Sequence, residues 1–428
     1  MSLHDETIAL HAGYEPGNTE PMNVPIVQST TYVYDSSEAI SEVFDEPTKS
    51  LIYSRFANPT VMAVEAKIAA LEGGVAAMAT SSGQAATLAA VLNLCERGDH
   101  LISTGQIYGG TTNLFAVTLA RMGIEVSFVD AGATREELDA LVRPTTKLVF
   151  GETLANPALT VLDIEKFANF AHAHGLPLVV DNTFPTPVLC KPISWGADIV
   201  IHSTSKYMDG HAVQVGGIVV DSGRFDWAAH ADRFPALSTP DESYHGTVYT
   251  ETYGAAAYIV KARMQLMRDF GTYPAAHSAF MLDLGLQTLA LRMERHSANA
   301  LAVAEYLAAQ TGVVSRVIYP GLAGDAGYDA AQKYFKNGMA SGVVSLVLAG
   351  GREVAPTFMD SLQLVNNAVH VADVRTMVLH PASTTHRQCT DEQLAAAGVD
   401  PGLVRLSVGI EHVDDILEDL ENGIKAIS

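Results

Sequence analysis

Short apolar runs alternate with helix-periodic stretches from residue 60 to Lys206. Residues 60–71 carry an amphipathic pattern that stops at Gly73-Gly74, a helix-ending signal. Residues 75–80 form a short apolar run, and Ser81-Ser82-Gly83 then opens a helical stretch over 84–94. Residues 100–103, 125–129 and 147–150 read as strands, with helices predicted over 112–122, 135–142 and 163–174. Two further buried strands, over 176–181 and 198–202, end in polar residues. Apolar strands separated by helices predict an α/β fold with a mostly parallel sheet covered on both faces.

The flanks behave differently. Residues 1–56 hold Pro16, Pro21, Pro25 and Pro47, show no sustained period and read as an irregular arm. After Tyr249 the chain favours helix, over 253–270 and 278–310, followed by strands over 342–348 and 404–408. A last helix sets Val413, Ile416, Leu417, Leu420 and Ile424 on one face and its acids opposite. The expected division is an N-terminal arm (1–56), a large domain (57–255) and a smaller α+β C-terminal domain (256–428).

Composition narrows the class. The chain has 428 residues, 48% hydrophobic and 17% charged, enough for a large core. A net charge of −22 argues against nucleic acid and anionic membrane surfaces as partners. Cys95, Cys190 and Cys389 have no paired spacing, which points to a reducing compartment rather than a disulfide framework. The acidic start lacks the apolar core of a signal peptide, and no apolar run reaches the ~18 residues of a membrane span. A cytoplasmic protein is expected.

Four predicted strands end in chemistry. The strand over 75–80 runs into Ser82, Gly83 and Gln84 at a helix start, where free N–H groups and the helix dipole favour a phosphate. A plain serine-capped turn is the alternative reading of that segment. The strand over 147–151 ends in Glu152, with Asn156 just beyond. The strand over 176–181 ends in Asp181, and the strand over 198–202 in Ser203, Ser205 and Lys206. If these strands are neighbours, the groups converge on one sheet edge, where open α/β sheets bind ligands. A lysine that forms a Schiff base and an acid that holds a pyridine nitrogen protonated are what pyridoxal 5'-phosphate (PLP) requires. His172 and His174 read as a solvated helix-end pair. His380 and His386 lack companion ligands, so no metal site is expected. No Gly-x-Gly-x-x-Gly or Walker loop follows a strand.

The segment around His202-Ser-Thr-Ser-Lys206-Tyr207 resembles the lysine signature of the cysteine/methionine-metabolism PLP enzymes, which have fold type I. The likeness extends through Leu10-His-Ala-Gly-Tyr14, Tyr53-Ser-Arg-Phe-Ala-Asn-Pro-Thr60, Ala66-Lys-Ile-Ala-Ala-Leu-Glu-Gly-Gly74 and Ser82-Gly-Gln-Ala-Ala86. It continues in Tyr108-Gly-Gly-Thr111, Val180-Asp-Asn-Thr183, His380-Pro-Ala-Ser-Thr-Thr-His386 and Arg405-Leu-Ser-Val-Gly409. Within that family the chain is most similar to the O-acetylhomoserine sulfhydrylases, through Tyr244-His-Gly-Thr-Val-Tyr-Thr-Glu-Thr252, Ala397-Gly-Val-Asp-Pro-Gly402, Gln84 and Gly110.

The resemblance implies roles. Tyr53 and Arg55 would reach the phosphate of a neighbouring subunit's cofactor. Ser82, Gly83, Gln84, Ser203 and Ser205 would hold the phosphate of the subunit's own PLP. Tyr108 would stack on the ring and assist the leaving group, Asn156 would bond the ring hydroxyl, and Asp181 would stay ionised beside the ring nitrogen. Glu152 belongs to the same cofactor set, and Arg405 would clamp the substrate carboxylate. Where sulfhydrylases usually show Asn-Val-Gly-Asp, this chain has His370-Val-Ala-Asp373, which places His370 at the substrate's amino-acid end. The implied reaction is γ-replacement on O-acetylhomoserine by sulfide, with O-acetylserine as a further substrate and a homotetramer of active-site-sharing dimers as the assembly. A methionine γ-lyase, a cystathionine-forming enzyme and a non-catalytic PLP-binding protein are the alternatives.

Overall fold

A seven-stranded sheet occupies the first half of the chain. Its strands are β1 (Ala76–Thr80), β2 (His100–Thr104), β3 (Glu125–Val129), β4 (Thr146–Glu152), β5 (Leu178–Asp181), β6 (Ile199–Ser203) and β7 (Gly217–Asp221). The computed structural model describes residues 3–45, 51–385, 387, 390, 394 and 399–428. Pro47, His386, Cys389 and the Ala397-Gly398 pair singled out above lie outside these residues.

The strand order is β1-β7-β6-β5-β4-β2-β3. Strands β2 to β6 pair in parallel, while β7 runs antiparallel between β1 and β6. The sheet is therefore mostly parallel, and β1 is one strand removed from β6 rather than beside it. Both faces are covered, as strand alternation requires. Leu178, Val180 and Val200 pack with Phe167 and Phe170 on one face. Val179, Ile199 and Ile201 pack with Phe115, Trp227, Tyr258 and Met264 on the other.

A second sheet is built from β8 (Val314–Ile318), β9 (Val343–Leu348), β10 (Asn366–Asn367), β11 (Met377–Leu379) and β12 (Leu403–Ser407), in the order β10-β11-β12-β9-β8. Strand β12 sits at its centre, antiparallel to β11 and β9.

Several elements depart from the sequence expectation. The arm holds two short helices, Asp5–His11 and Ser37–Asp45. The stretch predicted as one helix over 278–310 is two, Ala276–Gln287 and Leu289–Ala308, because Thr288 leaves helical geometry at φ −113°, ψ 9°. The 249–270 stretch is broken into pieces, including a wide π turn over Ala262–Met267, and packs against the seven-stranded sheet. The last helix, Val413–Ala426, buries Ile416, Leu420 and Ile424 as expected. Its Asp419, assigned to the solvent face, is buried instead. Its carboxylate accepts backbone N–H bonds from Gln363, Leu364 and Val365 at 2.8–2.9 Å, which offsets the cost of burying the charge.

Candidate functional site

Strand β6 empties into a tight turn that fixes Lys206. The Asp209 N–H bonds the Thr204 carbonyl at 3.2 Å, and the Gly210 N–H bonds the Lys206 carbonyl at 2.7 Å. Gly210 has φ +74°, and a Cβ there would lie 2.2 Å from the Arg292 guanidinium. That buried guanidinium donates to the Tyr207 and Gly285 carbonyls, both at 2.7 Å, and ties the turn to the helix beneath it. Lys206 itself is half-buried. Burial first, and the Arg405 charge second, lower its amine to about 8.

Asp181, at the end of β5, accepts two bonds from Thr183, from the N–H at 3.0 Å and the hydroxyl at 2.5 Å. The Thr183 oxygen in turn accepts the Ser203 N–H at 2.9 Å. Thr183 thus ties the ends of β5 and β6 together. Nothing in the sequence pattern alone assigns Thr183 this task. Burial pushes the Asp181 carboxyl above the usual carboxylate range, against the Thr183 hydroxyl and the neighbouring His202, which lower it. Behind the strand ends, the fully buried His202 and Glu72 meet at 2.7 Å, and Asn182 donates to the same Glu72 oxygen at 3.0 Å.

Glu152 lies opposite Asp181 in the β4–β5 register. Its carboxyl accepts the Tyr108 N–H at 2.6 Å and is bonded by the Asn156 backbone. Burial and then the Asp181 charge push Glu152 well above the usual range. Its visible task is to hold two loops, which the cofactor role read from sequence did not include. Tyr108 is half-exposed at the start of a short helix. A Cβ on Gly110 would come within 2.5 Å of its ring, so glycine lets the ring lie flat there.

The anion cradle has a steric reason for its glycine. Ser82 caps the helix Gly83–Leu92, its hydroxyl accepting the Ala85 N–H at 3.1 Å. A Cβ on Gly83 would lie 2.6 Å from the Ser203 Cβ, so the helix start presses directly on the end of β6. Gln84 donates to the Thr111 hydroxyl at 3.1 Å and links the cradle to the Tyr108 segment. Ser205 departs from the expectation that its hydroxyl donates to a phosphate. It donates to the Gly216 carbonyl at 3.2 Å and accepts the Gly216 N–H at 2.9 Å. Gly83→Ala is expected to weaken PLP binding about 10- to 100-fold, since overpacking costs roughly 1–3 kcal/mol. A cofactor titration of the purified variant checks this.

Strand β12 brings in the second sheet. Arg405 is buried, donating to Asn156 Oδ1 at 3.0 Å and to the Val369 and His370 carbonyls at 3.4 and 3.3 Å. Burial lowers it to about 10, so it stays a cation at neutral pH. The imidazole of His370 stands 3.3 Å from the Lys206 amine, Nδ1 to Nζ. The Arg405 Nε and His370 Nε2 are buried and have no hydrogen-bond partner among the described residues. Two buried donors without acceptors suit an incoming carboxylate.

Tyr53 and Arg55 pack on one another. The Arg55 guanidinium lies 5.1 Å from the centre of the Tyr53 ring and 5.5 Å from that of Phe56. Among the described residues, no hydrogen bond or ion pair joins either to the Lys206 cluster. The histidines set aside from sequence are not simply solvated. His172 pairs with Asp198 at 2.8 Å and His174 with Asp139 at 2.7 Å. His380 bonds the Ser383 hydroxyl and the Pro401 carbonyl.

These residues fit PLP. The cofactor's aldehyde would find a half-buried amine of lowered basicity, and its phosphate a helix N-terminus packed on the end of β6. Its ring nitrogen would find Asp181, a deep-set carboxyl that gains most from a cation beside it.

The sequence pattern of the Cys/Met metabolism PLP-dependent enzyme family matches residues 6–425. The chain is 44% identical to the homocysteine/cysteine synthase of Saccharomyces cerevisiae, over 100% of this chain and 99% of the relative. It is 45% identical to the O-acetyl-L-homoserine sulfhydrylase of Corynebacterium glutamicum, over 99% and 97%. Among solved structures, an O-acetylhomoserine (thiol)-lyase from Campylobacter jejuni, containing N'-pyridoxyl-lysine-5'-monophosphate, superposes with a TM-score of 0.95. That pair shares 35% identity over 99% of this chain and 100% of the other.

Proposed function

The chain belongs to the Cys/Met metabolism PLP-dependent enzyme family, with fold type I architecture and PLP as cofactor, and from that premise we propose that it replaces the acetoxy group of O-acetyl-L-homoserine with sulfide. The products are L-homocysteine and acetate. The observation that carries this reading is the meeting of Lys206, from the turn after β6, with His370, from the loop between β10 and β11, and Arg405, from β12.

When bound, PLP supplies an electron-withdrawing ring that makes a substrate Cα proton removable. Lys206 Nζ takes that proton, and its lowered basicity keeps a share of the amine unprotonated near neutral pH. The same nitrogen serves the later proton transfer at Cβ because its turn holds it within reach. Arg405 Nε and His370 Nε2 bind the α-carboxylate. Asp181 would face the ring nitrogen, Asn156 the ring hydroxyl, and Ser82, Gly83, Gln84 and Ser203 the phosphate, while Ser205 braces the cradle through Gly216. Tyr108 would cover the ring and protonate the departing oxygen. The Cγ–O bond breaks with its electron pair on acetate, and a Cγ–S bond forms from sulfide.

Tyr53 and Arg55 complete the site of a neighbouring copy, in a homotetramer of two such dimers. The lack of any hydrogen bond or ion pair from them to the Lys206 cluster among the described residues supports this, as does the exposure of Val213 and Val215 beside the lysine turn. The chain divides into an arm (1–56), a PLP-binding unit (57–255) and a C-terminal unit (256–428), with the 249–270 helices packed on the PLP-binding sheet. Among the described residues no helix is long and apolar enough to cross a membrane, and Cys95 and Cys190 are buried free thiols. A cytoplasmic location follows from this reading. O-acetylserine is a second substrate, favoured by the yeast relative's name, homocysteine/cysteine synthase.

Product analysis with and without sulfide tests the proposal. Homocysteine is expected from O-acetyl-L-homoserine only when sulfide is present. Abundant 2-oxobutanoate from methionine would replace this reading with a γ-lyase.

A further inference from the structure

We infer that His370 is a positioning residue for Lys206: its Nδ1 accepts a hydrogen bond from the lysine amine and fixes the direction of the remaining N–H bonds and lone pair. The contact is Nζ to Nδ1 at 3.3 Å and crosses from one sheet to the other. The ammonium of Lys206 has three donors and no acceptor, so in that state Nδ1 accepts and the ring proton sits on Nε2.

The surroundings keep the ring neutral. Lys206 faces it from the turn after β6, Arg405 from β12, and Asp373 and Arg375 from its own loop. The one acid among these is taken by Arg375, whose Nε lies 2.8 Å from Asp373 Oδ1. Burial, followed by the Lys206 charge, lowers His370 to about 4, far below the lysine. His370 therefore does not take the lysine's proton. Its Nδ1 holds the ammonium in place.

The loop that carries His370 is itself pinned to β12. Arg405 donates to the His370 carbonyl at 3.3 Å, and the Ala372 N–H donates to the Ser407 hydroxyl at 2.7 Å. Ala372 has φ +66°, a conformation a non-glycine residue holds only when its surroundings impose it. A fixed acceptor matters because a free lysine ends in a flexible four-carbon stem with three equivalent donors. Once Lys206 is not bonded to the cofactor, this acceptor narrows where its nitrogen points.

The inference rests on Lys206 as the reacting amine, and its test does not require turnover. The full-length chain, stripped of PLP, is acetylated by acetic anhydride across a pH series. The Lys206 peptide is then quantified by mass spectrometry against other lysines of the chain. Wild type should titrate near the value of about 8 set by burial and Arg405. An acceptor stabilises the ammonium more than the amine, so its removal lowers the midpoint. His370→Leu and His370→Phe, which lack an acceptor, should shift it down by about one unit. His370→Asn, whose Oδ1 takes the place of Nδ1, should restore the wild-type midpoint. In the loaded enzyme the two apolar variants should lose kcat roughly tenfold, and the Asn variant should recover it. An unchanged midpoint in Leu and Phe, or an Asn variant that behaves like them, overturns the inference. Failure of the wider reading would look different: Lys206→Ala would retain turnover whatever the acetylation curves show.

Discussion

Lys206→Ala is expected to lower homocysteine formation roughly 10,000-fold, the upper range for removing a positioned proton-transfer group. The loss has two sources. The variant lacks both the covalent anchor for PLP and the base that serves the Cα and Cβ positions. The fold should be untouched. Arg292 grips the Tyr207 and Gly285 carbonyls, not the lysine side chain, and removing a cation near Arg405 relieves like-charge repulsion. Circular dichroism and a thermal melt should therefore overlay the wild type while turnover disappears. Lys206→Arg should not rescue it, because a guanidinium stays protonated and cannot accept the proton. Turnover within tenfold of wild type in either variant would remove Lys206 from the mechanism.

Arg405→Leu is expected to lower kcat/KM for O-acetyl-L-homoserine about 100- to 1,000-fold. Deleting one partner of a buried charge pair costs roughly 3–5 kcal/mol. The loss should fall mainly on KM, since the α-carboxylate is bound throughout the reaction. Arg405→Lys should recover little. The fork that bonds Asn156 and the Val369 and His370 carbonyls at once has no counterpart in an ammonium. PLP affinity should change far less than kcat/KM in both variants. Equal losses of cofactor and substrate binding would mean that Arg405 supports the fold rather than the carboxylate.

Much of this site is legible along the chain because it lies at strand ends. Apolar runs that stop at Glu152, Asp181 and Ser203 declare their direction, and parallel pairing carries those residues to one edge. Other parts depend on pairings that no local pattern records. Strand β7 runs between β1 and β6, and its five residues read alike in either direction. Glu152 and the Tyr108 N–H are 44 residues apart, Glu72 and His202 are 130, and His370 and Lys206 are 164. Residue types alone do not say which of these groups faces which. The burial of Asp419 has the same origin: bonds to a segment 54–56 residues away decide it, against a helical period that reads smoothly through the position.

The most direct measurement is borohydride reduction of the purified, PLP-loaded chain followed by proteolysis and mass spectrometry. A pyridoxyl group found on the Lys206 peptide, and on no other lysine in stoichiometric amount, is the predicted result. An adduct on a different side chain such as Lys67 or Lys261, or none at all, would contradict the account.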